Sequence, residues 1–497
     1  MRPIRLIRPI AAGQLEAAPA GDTGRLPSTV RWALAALSLS MLLSSLGTSI
    51  ANVGLPTLAE AFSASFQQVQ WIVLSYLLAI TTLIVSVGRL GDLIGRRRLL
   101  LAGILLFTAA SVLCGLAPTL WLLIAARAAQ GLGAAVMMAL TMAFVGETVP
   151  KSRTGRAMGL LGTMSAIGTA LGPSLGGALI AGPGWRAIFL VNAPLGILTL
   201  VLARRHLPVD RREPEQEQAA AKAGRARFDH VGTLLLALTL AAYALAMTIG
   251  RGSFGALNAA LLAGAALGVG LFVRAESRAA SPLVRPATFR DPALSASLAM
   301  STLVSTVMMA TLVVGPFYLS RTLGLGEALV GLVLTAGPLV AALTGVPAGR
   351  VADRFGAPRM TVVGLVAMAV GAFVLSMTSG ALGVAGYVAP IVVVTAGYAV
   401  FQTANNTAVM TDIRPDRRGA TSGMLNLSRN LGLITGTSVM GAVFALASGT
   451  TDVATAPSSA VATGMRVTFA VAAILIVVAL AIAAGSRAPA RRRASGG

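Results

Sequence analysis

Long apolar stretches recur along the whole chain, and short polar segments separate them. Each stretch is about 20 residues long, the length that a helix needs to cross roughly 30 Å of hydrocarbon. We therefore predict fourteen membrane-spanning helices, numbered spans 1 to 14 in chain order. They cover residues 31–58, 71–90, 98–117, 119–146, 156–181, 187–204, 230–249, 255–273, 293–319, 328–349, 360–379, 384–411, 420–447 and 466–485.

The composition agrees with this pattern. Hydrophobic residues make up 56% of the 497 positions and charged residues 11%, and the mean hydropathy is +0.80. Soluble domains carry about a quarter charged residues, so an ordinary soluble protein is excluded. The sequence predicts an all-α membrane protein.

Basic residues outnumber acidic ones, and the net charge is +22. If the N-terminus is cytoplasmic, 33 of the 39 lysines and arginines fall in cytoplasmic segments, four in outer segments and two, Arg127 and Arg429, within spans. An excess of Lys and Arg in cytoplasmic loops is what orients membrane proteins. The charge therefore predicts a multi-pass protein of the cell membrane with both termini in the cytoplasm, and it does not indicate nucleic-acid binding.

Two sequence patterns repeat at nearly the same offset. GRLGDLIGRRR at 88–98 matches GRVADRFGAPR at 349–359, which lies 261 residues later. Two independent matches predict duplicated six-span halves, related by an axis along the membrane normal, with spans 7 and 8 inserted as a hairpin. The second match, at an offset of 264, pairs the glycines at 159, 168, 172 and 177 with those at 423, 432, 436 and 441.

This duplication sets the predicted domain boundaries. A disordered cytoplasmic tail precedes the first bundle, and a basic cytoplasmic tail follows the second. The predicted segments are the tail 1–30, the first six-helix bundle 31–206, a linker 207–229, the hairpin 230–275, a linker 276–292, the second bundle 293–485 and the tail 486–497.

At these motifs the chain resembles the fourteen-span drug/proton antiporters of the major facilitator superfamily. The resemblance rests on the loop 88–98, RAAQGLGAA at 127–135, the glycine series at 159–177 and WRAIFLVNAPLG at 185–196. It implies the major facilitator fold, with a substrate site near mid-membrane between the halves. It also implies export of small amphipathic or lipophilic compounds by alternating access, in exchange for protons.

The loop at 88–98 has residue types suited to a tight cytoplasmic turn. Glycine permits close packing between helix ends, aspartate can accept hydrogen bonds from helix-end amides, and the arginines can anchor at lipid headgroups. The resemblance implies a cytoplasmic gate, whereas the plainer alternative is a loop that only fixes topology. The residues assigned to this gate are Gly88, Asp92, Gly95, Arg96, Arg97, Asp353 and Gly356.

Several polar side chains lie inside predicted spans. An arginine within the membrane is energetically costly unless it faces a wet cavity or has partners. Arg127, with Gln130 one helical turn later, is therefore either a cavity residue or a clamp between helices, and the resemblance assigns it to proton transfer. The same alternatives hold for Arg429. The further cavity candidates, each of which could instead bond a neighbouring helix, are Asn52, Gln402, Asn405 and Asn406.

Span 5 contains a series of glycines with one proline. Glycines four residues apart flatten a helix face so that another backbone can approach, and a proline within the helix is expected to kink it. The resemblance associates this pattern with exporters of the antiporter type, and simple tight packing is the alternative. The series is Gly159, Gly168, Gly172, Pro173, Gly176 and Gly177.

One position departs from the resembled family. The family commonly carries an aspartate in span 1 where this chain has Gly47, and no Asp or Glu lies deep in any predicted span. A proton antiporter needs a group that binds and releases a proton, usually a carboxylate. Glu60, Glu327 or a titratable group of the substrate could replace it.

The sequence lacks the residues that a disulfide framework, a metal centre or an ATP site would require. The single cysteine, Cys114, excludes a disulfide framework, and two histidines are too few for a histidine-rich metal centre. No HExxH or P-loop motif is present, so the sequence predicts no enzyme, no metal or other cofactor and no ATP site. A major facilitator uniporter or importer of a metabolite remains open, as does a non-transporting membrane receptor.

Overall fold

The structure, a computed structural model, describes residues 27–84, 86–149, 154–208, 229–249, 255–279, 290–378, 382–411, 418–449 and 456–486. Within these residues fourteen helices are long and apolar enough to cross a membrane. The prediction of an all-α fold with fourteen spans is confirmed.

The spans keep their predicted order and nearly their predicted ends. Two short helices, Leu55–Ala61 and Val87–Ile94, follow spans 1 and 2. Spans 1 to 14 are Ser28–Val53, Phe66–Ile84, Arg96–Leu116, Leu120–Thr148, Thr154–Ala181, Ala187–Leu190 with Asn192–His206, His230–Thr248, Ala256–Arg278, Pro292–Phe317 with the π-helix Tyr318–Thr322, Glu327–Phe355, Ala357–Met377, Gly383–Thr411, Arg418–Thr435 with the π-helix Gly436–Met440 and the helix Gly441–Ala447, and Ser458–Gly485.

Several predicted ends differ from the structure, and two of them concern residues discussed above. Span 14 begins at Ser458 rather than at 466, because Pro457 starts the helix and Arg466 lies about two turns inside it. Span 2 ends at Ile84, and most of the loop predicted at 88–98 is helical, as Val87–Ile94.

The turn in each repeated loop is made by one glycine. Gly95 and Gly356 have φ angles of 95° and 86°, in the region that glycine adopts without steric penalty. Each separates one helix from the next, whereas Gly88 lies within a helix and does not form the turn. The side chains of Asp92 and Asp353 lie outside the described residues.

An even number of spans places both described chain ends on the same side of the bundle. We call the side with Ser28 and Gly485 the terminal face and the other side the opposite face. At the terminal face the rings of Trp32 and His206 are stacked 6.0 Å apart, joining the start of span 1 to the end of span 6. At the opposite face the ring of Phe62 lies 5.2 Å from that of Trp185.

Equivalent helices pack closely in the two halves. A Cβ atom on Gly168 of span 5 would lie 2.4 Å from the Leu42 carbonyl oxygen of span 1. A Cβ atom on Gly432 of span 13, the repeat partner of Gly168, would lie 2.3 Å from the Thr302 carbonyl oxygen of span 9. At both contacts only glycine fits, because it has no side chain and the two backbones touch.

Span 7 lies beside the seam between the halves. At the opposite face the Trp71 indole of span 2 donates to Thr248 Oγ1 at 3.0 Å, and toward the terminal face the hydroxyls of Thr233 and of Ser86, just after span 2, are 3.1 Å apart. Span 7 also reaches span 13 of the other half, where Tyr243 donates to the Thr435 hydroxyl at 3.1 Å. The hairpin is therefore attached to both halves.

Candidate functional site

The two halves meet in an aromatic cluster at the opposite face. The ring of Phe66, at the start of span 2, lies 4.9 Å from Phe317 of span 9 and 5.5 Å from Phe444 of span 13. All three side chains are fully buried. This contact closes the space between the halves on that side.

Two pairs of spans cross beside this cluster, and they use equivalent positions of the repeat. Where span 2 meets span 13, Gln70 Nε2 donates to the Thr437 carbonyl at 2.8 Å. Where span 10 meets span 5, a Cβ atom on Gly331 would lie 2.3 Å from the Pro173 carbonyl oxygen. Gln70 and Gly331 are 261 residues apart, and Pro173 and Thr437 are 264 apart, the two offsets of the repeat.

A third contact joins equivalent positions to each other. Arg321 of span 9 forms an ion pair with Glu60, exactly one repeat offset earlier in the chain, and both side chains are partly exposed. Together with Glu327 they border a cavity of about 170 Å³ between the halves at the opposite face. The sequence had offered Glu60 and Glu327 as proton carriers but gave no partner for either.

Toward the terminal face the corresponding glycine positions of spans 5 and 10 are open. At the opposite face Gly177 and Gly331 touch through their backbones. Gly162 lies close to three turns before Pro173 on the same side of span 5, and a Cβ atom there would meet nothing within 4 Å. The same is true of Gly345, about four turns after Gly331 on span 10. We call the resulting space the crevice.

Arg127 is fully buried inside the first half. Its Nε donates to the Ile72 carbonyl at 3.0 Å, and its Nη1 donates to Gln130 Oε1 at 2.6 Å. Gln130 in turn donates to the Ser111 hydroxyl at 2.7 Å. The guanidinium carbon lies 4.1 Å from the ring centre of Tyr76, a cation–π contact. These contacts are those expected of a clamp between helices, and a role of Arg127 in proton transfer stays a prediction.

The position of the family aspartate is filled by neighbouring side chains. A Cβ atom on Gly47 would lie 2.9 Å from the Tyr76 hydroxyl and 3.3 Å from the Phe107 ring. That hydroxyl donates to the Ser44 carbonyl at 2.9 Å, so Tyr76 is held in place. A carboxylate at Gly47 would have to displace these groups.

The remaining polar candidates mostly bond within or between helices. Asn52 donates to the Thr48 carbonyl of its own helix at 2.9 Å, and Asn405 to the Ser297 carbonyl of span 9 at 3.4 Å. Gln402 donates to Asn406 at 3.4 Å, and both side chains are half-buried. Arg429 is exposed and forms no hydrogen bond or ion pair with the described residues.

The glycine series of span 5 contacts two different helices. Gly168, Gly172 and Gly176 pack on span 1, whereas Gly177 and Pro173 pack on span 10 of the other half. The surroundings of Gly159 lie outside the described residues. One helix therefore holds the first half together and also forms part of the closed interface.

Sequence reasoning missed Gln70, Tyr76 and Arg321 as members of the interface or clamp. The repeat itself held the signal for two of them. Applying the offset of 261 links Gln70 to Gly331 and Glu60 to Arg321.

Comparison with known proteins agrees with this architecture. The sequence profile of the Major Facilitator Superfamily matches residues 37–437 and 298–496. The chain belongs to the major facilitator superfamily. It is thus a multi-pass membrane transporter, built as two packed groups of spans that meet at the opposite face.

The names of individual relatives indicate different substrates. Multidrug efflux pump LfrA of Mycolicibacterium smegmatis is 31% identical over 85% of this chain and 82% of its own. Riboflavin transporter RibZ of Clostridioides difficile is 28% identical over 82% of this chain and 87% of its own. A bacterial homologue of the human lysosomal transporter Spinster shares the fold, with a TM-score of 0.68 and 17% identity over 93% of this chain and 98% of its own.

Proposed function

We propose that this transporter exports small amphipathic or lipophilic compounds by alternating access, in exchange for protons. The observation that carries the proposal is the shape of the interface, which is closed at the opposite face and open at the terminal face. In this fold the two halves rock around a central site, so the open side alternates. The name of the relative LfrA and the glycine series of span 5 support the outward direction.

The distribution of charge supports placing the terminal face in the cytoplasm. In that orientation the crevice opens to the cytoplasm, which is the loading state of an exporter. A membrane-impermeant reagent added to intact cells should leave tags on both chain ends unlabelled. Labelling of either end from outside would reverse the proposed orientation.

Release of substrate requires the opposite face to open. The contacts that must break are the hydrogen bond from Gln70 to Thr437 and the ion pair between Glu60 and Arg321. Where Gly177 meets Gly331 there is no polar bond to break, and the two backbones can move apart. The opposite-face gate thus consists of these two polar contacts, the glycine contact and the aromatic cluster of Phe66, Phe317 and Phe444, whose rings must also separate.

The same gate contains the carboxylates proposed for proton coupling. Glu60 and Glu327 are the described acids that border the interface, and Arg321 lies between the halves with them. Protonation of Glu60 removes the charge that pairs with Arg321, which weakens the closed state. Binding of an outer proton would then favour opening toward the outside.

Export is tested by accumulation of an amphipathic fluorescent dye in cells with and without the chain. Cells that contain it should accumulate less dye, and an uncoupler should abolish the difference. Equal accumulation would contradict export. A difference that ignores the uncoupler would contradict proton coupling while leaving export in place.

The relative RibZ, named as a riboflavin transporter, favours a second candidate, a metabolite transporter working as an importer or uniporter. Flux in vesicles of known orientation distinguishes the two. Net movement into the cytoplasmic side would support the importer. A receptor would bind its ligand without any flux.

A further inference from the structure

Arg429 occupies a distinct surface of span 13. Gly432 of this helix faces span 9. With a rotation of about 100° per residue, Thr437, whose carbonyl accepts a hydrogen bond from span 2, lies about 140° around the helix from Gly432. Thr435, which bonds span 7, lies about 60° away on the other side of Gly432. Arg429 lies about 60° from Gly432 toward Thr437, between the surfaces that face spans 9 and 2.

That surface borders the space between the halves. Asn426, about 60° further round the helix, is exposed like Arg429. Its repeat partner, at the offset of 264, is Gly162, which borders the crevice from the first half. The repeat therefore places Asn426 on the crevice. It places Arg429 at the border between the crevice and the surface packed on span 9, since the repeat partner of Arg429 is Ser165, whose hydroxyl lies 2.7 Å from that of Ser45 in span 1.

No described carboxylate compensates the charge of Arg429. Glu60 and Glu327 lie at the closed opposite face, and Glu60 is already paired with Arg321. Tyr76 and Phe107 fill the space beside Gly47, where the resembled family carries an aspartate. The charged side chain that we place on the crevice is therefore the positive one of Arg429.

A cation between apolar walls concentrates anions, because low-dielectric surroundings screen its field poorly. A guanidinium also binds carboxylate or sulfonate groups through two parallel hydrogen bonds. A lipophilic cation in the same space is repelled. The charge of the crevice thus discriminates between two classes of amphipathic compound.

We propose that Arg429 binds the substrate and that the transporter selects amphipathic compounds bearing an anionic group, such as a carboxylate, over lipophilic cations. This inference rests on the proposed export function and specifies its substrate class. Gly47 agrees with this selectivity, since a position packed against Tyr76 and Phe107 offers no negative charge to attract cations.

The test compares two dyes that share a xanthene ring system, the anion fluorescein and the cation rhodamine 123. Purified protein in liposomes moves each dye under a fixed pH gradient, with the membrane potential held at zero by valinomycin and equal potassium. We expect kcat/KM for fluorescein to exceed that for rhodamine 123 by at least about tenfold, or about 1.4 kcal/mol. Equal rates, or a preference for rhodamine 123, would overturn the inference.

Variants assign the selectivity to one side chain. Arg429→Gln should raise KM for fluorescein about tenfold with little change in kcat, while flux of rhodamine 123 stays the same or increases. Arg429→Lys keeps the charge and should stay within about threefold of the parent in KM. Loss of kcat for both dyes in Arg429→Gln, with KM for fluorescein unchanged, would assign Arg429 a structural role and overturn the inference.

The two proposals fail in distinguishable ways. If rhodamine 123 is transported and fluorescein is not, export stands and anion selection falls. If neither dye moves and cells accumulate dyes equally with and without the chain, the export function itself falls, and the inference falls with it.

Discussion

At the residue scale, Arg127 shows how a charge is held in an apolar bundle without a described carboxylate. A backbone carbonyl and an amide oxygen accept its protons, and the ring of Tyr76 covers one face. Nη2 of Arg127 has no hydrogen-bond acceptor among the described residues, so no further acceptor is present to replace one that is removed. Its remaining partners should therefore contribute strongly to stability.

Replacing Gln130 by leucine tests this clamp. Gln130→Leu leaves Nη1 of Arg127 and the Ser111 hydroxyl without their partner, and a buried unpaired polar group costs about 1–3 kcal/mol. We expect lower thermal stability of the detergent-solubilised protein, followed by tryptophan fluorescence. The control is Gln402→Leu, which removes only a long hydrogen bond to Asn406. An equal loss in both variants would contradict the special role of the clamp.

At the element scale, the two crossings at the opposite face occupy equivalent positions but differ in chemistry. Spans 2 and 13 are joined by one directional hydrogen bond to a carbonyl of the π-helix Gly436–Met440. Spans 5 and 10 are joined by backbone packing at Gly177 and Gly331. Opening therefore breaks a hydrogen bond on one side and separates glycine backbones on the other.

The hydrogen bond is tested with Gln70→Leu. Loss of one such bond, about 1 kcal/mol, should increase the population open at the opposite face about fivefold. The reporter is the rate at which an impermeant maleimide labels Val53→Cys, a buried position beside the gate cavity, with Cys114→Ser as background. Gln67→Leu, a buried neighbour on the same helix, is the control and should leave the rate unchanged.

The glycine crossing is tested with Gly331→Ala. The added methyl carbon would lie 2.3 Å from the Pro173 carbonyl oxygen, so the closed interface must spread. We expect faster labelling of Val53→Cys and loss of most transport. Gly345→Ala, on the same helix beside open space, is the matched control. Normal transport by Gly331→Ala would contradict the tight closure described for these spans.

At the scale of the whole molecule, the two halves are related closely enough that one position meets its own repeat partner. Glu60 and Arg321 occupy that position with opposite charges. The two repeat-related positions are thus complementary in charge. Because the pair is partly exposed, its contribution should stay below about 1 kcal/mol.

Exchanging the two charges tests this relation. Glu60→Arg alone and Arg321→Glu alone place like charges together, and each should speed labelling of Val53→Cys about twofold to fivefold. The double exchange restores the opposite charges at equivalent positions and should return the rate to within about twofold of the parent. A double variant as open as the single ones would show that the pair does not close the gate.

The hairpin adds a second connection between the halves. Span 7 bonds Trp71 of span 2, Ser86 just after that span, and span 13 through Tyr243. The sequence predicted the hairpin from its position between the two repeats. It did not predict which helices the hairpin contacts, because apolar helices have no charge pattern that specifies a packing partner.

Local sequence was informative wherever a feature depends on neighbours in the chain. Span length follows from hydrocarbon thickness, and the turns at Gly95 and Gly356 follow from glycine between two helices. Arg466 shows the limit, since its charge indicated a loop although the helix begins at Ser458. A long side chain near a helix end can reach the membrane surface, so one arginine does not end a span.

The amino-acid pattern alone was enough to predict the number and order of the spans, and it contains the repeat and the uneven distribution of charge among the loops. Hydrophobicity and the energetic cost of moving charge across lipid act on each segment separately, and a repeat can be read directly from the order of the residues. The contact of Gln70 with Thr437, the burial of Arg127 and the exposure of Arg429 become visible only in the folded protein. Those facts depend on how helices distant in sequence rotate and cross, because the same polar residue can face a crevice, a neighbour or a lipid.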